Sequence, residues 1–128
     1  MAKQPKIIKN AELKKMNLTE QEFMYMEDAV NDINKKRDYT CESTKFFAFG
    51  SISKDERNAY RKAIEYFAVK FMKESGSNKL DEIASMIAKI FFTSSYLVIT
   101  YLKGIDADHN SGIIVEDNFG LNYIAIKK

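Results

Sequence analysis

Three stretches of this chain place apolar residues three and four positions apart. The residues after Thr93 follow a different pattern. The first stretch opens at Leu18-Thr19-Glu20-Gln21-Glu22-Phe23. Thr19 and Glu22 stand at the two reciprocal positions of a capping box, and Leu18 and Phe23 at those of a hydrophobic staple. Phe23, Met26, Val30 and Ile33 then recur at helical spacing, so a helix is predicted to about Lys36. A second capping box, Ser53 to Glu56, opens a helix whose apolar stripe is Tyr60, Ala63, Ile64, Phe67, Ala68 and Phe71. Ser75-Gly76 ends it, because glycine takes the left-handed cap position at little cost. Asn78 is the expected cap of a third helix, with Leu80, Ile83, Ala84, Ile87, Ile90 and Phe91 facing inward. The short link between the second and third helices implies a helical hairpin.

After Thr93 the residue types change. Tyr96 to Leu102 is a continuous β-branched and aromatic run and reads as a strand. Lys103 to Gly112 reads as a polar loop and Ile113-Ile114-Val115 as a second strand. Asp117 to Gly120 is turn chemistry, and Leu121 to Ile126 forms a third strand. The expected fold class is therefore α+β: three main helices followed by a three-stranded antiparallel β-meander. The aromatic run Lys45 to Phe49, closed by Gly50, allows a fourth short strand near 45–49.

Composition changes this picture little. A chain of 128 residues with 45% apolar and 30% charged residues fits one ordinary domain with its own core. Residues 18–128 are expected to form it. Residues 1–17, with five lysines and one glutamate, form either a basic arm or a short docking helix carried by Ile7, Ile8, Leu13 and Met16. The 17 lysines against three arginines, with abundant Ile, Asn and Phe, resemble the AT-rich coding of low-GC bacteria and their phages. Cys41 has no second cysteine to pair with, the basic N-terminus lacks a signal-peptide core, and Tyr96 to Leu102 is too short to cross a bilayer. The expected compartment is the cytoplasm.

Candidate chemistry is sparse. Phosphate-loop, nucleophile-elbow, H-E-x-x-H and C-x-x-C motifs are absent from the sequence. The acidic neighbours Asp38 and Glu42 disfavour a Cys41 thiolate, so that residue reads as a small apolar one. Asp106, Asp108 and Asn110, with His109 among them, space oxygen ligands as a calcium loop does. However, Ser111 stands where that loop needs glycine, and Asp117 stands where it needs glutamate. No cofactor is expected. Two surface features stand out. Phe23-Met24-Tyr25-Met26 spreads apolar side chains around most of a helix, which leaves Met24 and Tyr25 for a partner, with Phe46 and Phe47 as further candidates. Lys54, Arg57, Arg61 and Lys62 lie near one face of the second helix and can contact phosphates.

The function expected from these features is non-enzymatic: a protein-binding module, of the type of a small phage or mobile-element inhibitor or accessory factor, able to self-associate. The alternatives are a nucleic-acid-binding accessory protein using the basic face, and a cation-binding or hydrolytic protein centred on 106–112. The partner is another protein, a second copy or nucleic acid, with neither a membrane nor a small-molecule substrate in view.

Overall fold

The computed structural model describes residues 10–36, 53–91, 93–106, 112–118 and 121–127. These form five helices and one two-stranded antiparallel sheet: α1 (Asn10–Leu13), α2 (Glu20–Lys36), α3 (Lys54–Ser75), α4 (Leu80–Phe91), α5 (Ser95–Asp106), β1 (Ile113–Asn118) and β2 (Leu121–Ile126). The architecture is mostly helical and compatible with the α+β class. Phe46 and Phe47, and with them the expected strand at 45–49, lie outside the described residues, as do Cys41, residues 1–9 and the segment Ala107–Ser111.

The expected signals at the starts of α2 and α3 and at the end of α3 make hydrogen bonds. The Thr19 N–H donates to Glu22 Oε1 at 2.9 Å and the Glu22 N–H donates to Thr19 Oγ1 at 3.2 Å, so both halves of the capping box are made. Asn17, with φ 55°, turns the chain into this cap, a conformation that asparagine tolerates better than most residues. At the start of α3 the Glu56 N–H donates to Ser53 Oγ at 3.1 Å, while the Glu56 carboxylate accepts from the Tyr60 hydroxyl. Gly76, at φ 72°, closes α3 by donating its N–H to the Met72 carbonyl. The bonds ahead of α4 centre on Ser77 instead of the expected Asn78. Ser77 Oγ accepts from the Lys79 N–H and donates to Glu82, and the Asn78 carbonyl accepts from the Ile124 N–H of β2.

The main departure from expectation is α5. Tyr96 to Leu102 is helical, so the sheet of described residues has two strands where a three-stranded meander was predicted. Ser94 caps this helix, its Oγ accepting from the Leu97 N–H at 3.3 Å. Val98, Tyr101 and Leu102 are buried while Tyr96, Thr100 and Lys103 are exposed. Those two sets follow a period of 3.6, and the packing they permit against α3 and α4 outweighs the few tenths of a kcal/mol per residue by which β-branched side chains disfavour a helix. Thr100 Oγ1 bonds back to the Tyr96 carbonyl at 3.0 Å, an arrangement that slightly weakens a helix. Thr100→Ala should therefore raise stability by about 0.5 kcal/mol in urea denaturation, whereas at an exposed strand position the same change would lower it.

The core lies between α3, α4, α5 and the inner face of the hairpin. Ala59, Ala63, Ile64, Phe67 and Ala68 of α3 meet Ile83, Ala84, Ile87 and Phe91 of α4, and Val98 and Leu102 of α5. The strands pair in the register Ile113↔Ile126, Val115↔Ile124, so Ile113, Val115 and Ile124 share the buried face. Asp117 and Asn118, expected in the turn, are the last residues of β1. On the other side of α3, α2 buries Met26, Ala29 and Val30, and Leu13 and Met16 are buried beside it. Among the described residues no single helix is long and apolar enough to cross a membrane.

Candidate partner-binding groove

A groove of about 550 Å³ runs between α3, the turn after α1 and the end of the hairpin. Its α3 wall is the stripe Lys62, Tyr66, Val69, Lys70 and Lys73, in which 62, 66, 69 and 73 as well as 66, 70 and 73 stand three or four residues apart. From first to last the stripe spans roughly 16 Å at 1.5 Å per residue. Lys15 and Lys127 complete the rim, and Met16, Tyr66, Val69 and Ile126 supply apolar surface below it. Among the described residues the lining thus sets five ammonium groups against one carboxylate, Glu65. The charge of Glu65 is itself engaged, because its Oε1 accepts a short hydrogen bond from the Gly112 N–H. That bond fastens the start of β1 to α3, and the Lys127 N–H closes the same corner on the Gly112 carbonyl at 2.9 Å.

Two of the lysines are held in place and three are presented. Lys62 Nζ lies 2.7 Å from Glu22 Oε1 and also donates to the Asn17 carbonyl. Lys70 Nζ lies 3.3 Å from Glu12 Oε1. The Tyr66 hydroxyl donates to the second oxygen of the same Glu12 at 2.6 Å, which locks the orientation of the ring at the groove wall. Burial, with the Glu12 bond second, pushes the Tyr66 hydroxyl up to about 12, so it remains a donor at any ordinary pH. The Tyr66 bond in turn holds the Glu12 carboxyl below its usual range, with burial opposing and Lys70 assisting. For Glu22, burial alone would raise the pKa; the bonds from Lys62 and Thr19 outweigh it and the net shift is downward. Lys15, Lys73 and Lys127 are exposed and make no ion pair among the described residues. All three face solvent, and the Lys15 charge also helps to hold the Glu12 carboxyl below its usual range.

Among the described residues, those singled out from sequence do not form one site. Met24 is 59% exposed on the outer side of α2. Tyr25 is half-buried and packs against the core, so the two are not one apolar patch. Lys54 is exposed at the first turn of α3, but the two arginines turn toward α5. The Arg61 guanidinium lies 3.7 Å from the position a Cβ on Gly104 would take, and the Nε of Arg57 is buried. Burial pushes the Tyr101 hydroxyl upward, and Arg57 and Arg61 are close enough to pull against that shift. The Lys54–Arg57–Arg61–Lys62 face is therefore partly packed, with Lys62 directed to Glu22 instead. Asp106 is the last residue of α5 and not part of a loop, while Asp108, His109 and Asn110 lie outside the described residues. Among the described residues no group of three or more His, Cys, Asp or Glu is placed to hold a metal ion.

The groove itself was not foreseen from sequence. Its signal is the Lys62–Tyr66–Val69–Lys70–Lys73 stripe, one helical face away from the arginines. The contributions of Lys15, Met16, Ile126 and Lys127 come from sequence-distant segments and have no local signature. Comparison of the chain with protein-family models, with curated proteins and with solved structures finds no match.

Proposed function

We propose that this chain is a non-enzymatic binding module whose recognition surface is the lysine-rimmed groove, and that its partner is an acidic, partly apolar protein segment. The observation that supports this reading is the pairing of an aliphatic floor, Met16, Val69 and Ile126, with a cationic rim. Aliphatic surface and methionine favour the apolar side of an amphipathic peptide, which can set its carboxylates on the rim. Bases of single-stranded nucleic acid stack on aromatic platforms, of which the lining offers one, Tyr66. All five cations are lysines, point charges without the planar fork that reads phosphate or base edges bidentately.

The test is a fluorescence-anisotropy titration with two labelled probes: a helical peptide alternating leucine and glutamate faces, and a single-stranded oligonucleotide of similar length. The peptide should bind, and the triple variant Lys15→Glu, Lys73→Glu, Lys127→Glu should weaken it about tenfold or more, since each reversal replaces attraction with repulsion at an exposed rim. Binding should also weaken with added salt. If the oligonucleotide binds and the peptide does not, the groove is a nucleic-acid site and the protein-binding reading is wrong.

A further inference from the structure

The outer side of α2 has the chemistry that the groove calls for. Glu20, Met24, Glu27 and Asn31 run along it at three- and four-residue spacing, with Asp28 four residues after Met24. The stripe covers the same twelve-residue span as the Lys62–Lys73 stripe. Glu20, Asp28 and Asn31 are exposed and Glu27 is half-exposed. Met24, in their midst, is 59% exposed, an unbranched and adaptable apolar side chain left in water. This stripe lies opposite Met26, Ala29 and Val30, the residues by which α2 packs on its own α3. It therefore faces away from the groove of its own chain and can reach only that of another.

We infer that a second copy of this chain occupies the groove, with Met24 of one copy seated on the Tyr66–Val69 floor of the other and Glu27 and Asp28 set against the Lys73 and Lys127 rim. The inference rests on the groove being the recognition surface. Stripe and groove are different surfaces, so the contact closes into a dimer only if the two copies exchange it reciprocally.

Sedimentation velocity of the full chain, up to about 1 mM, tests the contact together with charge-reversed variants. One variant carries Glu27→Lys and Asp28→Lys, the other Lys73→Glu and Lys127→Glu. All four positions are solvent-accessible, and far-UV circular dichroism verifies that each variant is folded. The wild-type chain should self-associate, more weakly as salt rises. Each variant taken singly should raise the dissociation constant at least tenfold, and an equimolar mixture of the two should recover association through the swapped charges. A wild-type chain monomeric over the whole range overturns the inference, and if the leucine–glutamate peptide still binds the groove, the binding-module reading survives it. Self-association that neither variant weakens also overturns it. A missing peptide response alongside that result removes the binding-module reading as well.

Discussion

Phe67→Ala should destabilise the fold by about 4 kcal/mol, near the middle of the range for deleting a buried aromatic ring. Phe67 is 2% exposed and sits where α3 meets α4. Its ring stands edge-on to Phe91 at 5.6 Å and to Tyr66 at 5.2 Å, and lies tilted against Phe71 at 5.8 Å. Lys70 Nζ lies 5.9 Å from its centroid. Removing the ring leaves a cavity between two helices that meet through small residues, Ala63, Ala68, Ala84 and Ala88, which cannot swing in to fill it. The Tyr66 and Lys70 positions at the groove wall lose a neighbour at the same time. Urea denaturation followed by far-UV circular dichroism should show a lower midpoint with an unchanged slope. Phe67→Leu, which keeps most of the volume, should cost less than half as much. A Phe67→Ala loss below about 1 kcal/mol would mean that the ring is not packed as described.

The parts of the fold legible in the sequence are those where local chemistry and global packing agree. The Thr19–Glu22 box and the Ser53 cap mark the starts of α2 and α3 and Gly76 the end of α3, because orphan N–H and C=O groups at helix ends need partners close in sequence. Residues Tyr96 to Leu102 show the opposite case. Their β-branched and aromatic composition points to a strand, while the buried set Val98, Tyr101 and Leu102 has helical spacing. Propensity is the weaker term wherever burial supplies several kcal/mol. The Ser94 cap, directly before α5, is the local sign that favours the helix. The expected third strand is gone in consequence, and β2 instead meets the α3–α4 link, with a bridge between Lys79 and Tyr123.

The site was less legible than the fold. A basic helix face is read from three- and four-residue spacing, and Lys54, Arg57 and Arg61 satisfy that spacing. Which face the fold then covers depends on the helix that packs there, and α5 has the composition of a strand. With α5 helical, Arg57 and Arg61 lie toward it, and the open lysine face is the neighbouring one, Lys62 to Lys73. Lys15 and Lys127 stand more than a hundred residues apart in the chain and are brought to one rim by the Glu65–Gly112 bond and the buried Leu13–Met16 turn. Met24 remains where the sequence placed it, on the outer face of α2, and its neighbours in that setting are acids.

Glu22→Ala should cost roughly 2–3 kcal/mol, the second largest effect expected for a single residue, because one carboxylate serves three structures at once. It caps α2 through the Thr19 N–H, its charge suits the helix N-terminus, and it ties α2 to α3 through Lys62. It is 7% exposed, so its charge depends on those bonds. Glu22→Gln keeps an acceptor for the Thr19 N–H and loses the charge, and should cost about 1 kcal/mol. Lys62→Met should cost less than Glu22→Ala, since the lysine side chain is 38% exposed and, once removed, lets water reach the carboxylate. The same group sets a pH dependence whose sign follows from its shift. The folded-state pKa of Glu22, like that of Glu12, is lowered below the ordinary 4.5. The unfolded chain therefore binds these protons first as acid is added. The stabilisation from both carboxylates is complete above about pH 5 and is lost as pH falls through their depressed folded values. Urea midpoints measured from pH 7 down to about pH 3 should fall for the wild-type chain and fall less steeply for Glu22→Gln, which has no proton to gain at that position. Parallel curves for the two proteins would mean that the Glu22 carboxylate is not held by Lys62 and Thr19 in solution. Release of these ties on acidification should also free Lys62 and Lys70 and loosen the α1 turn, so peptide affinity at the groove should change over the same pH interval in the wild-type chain.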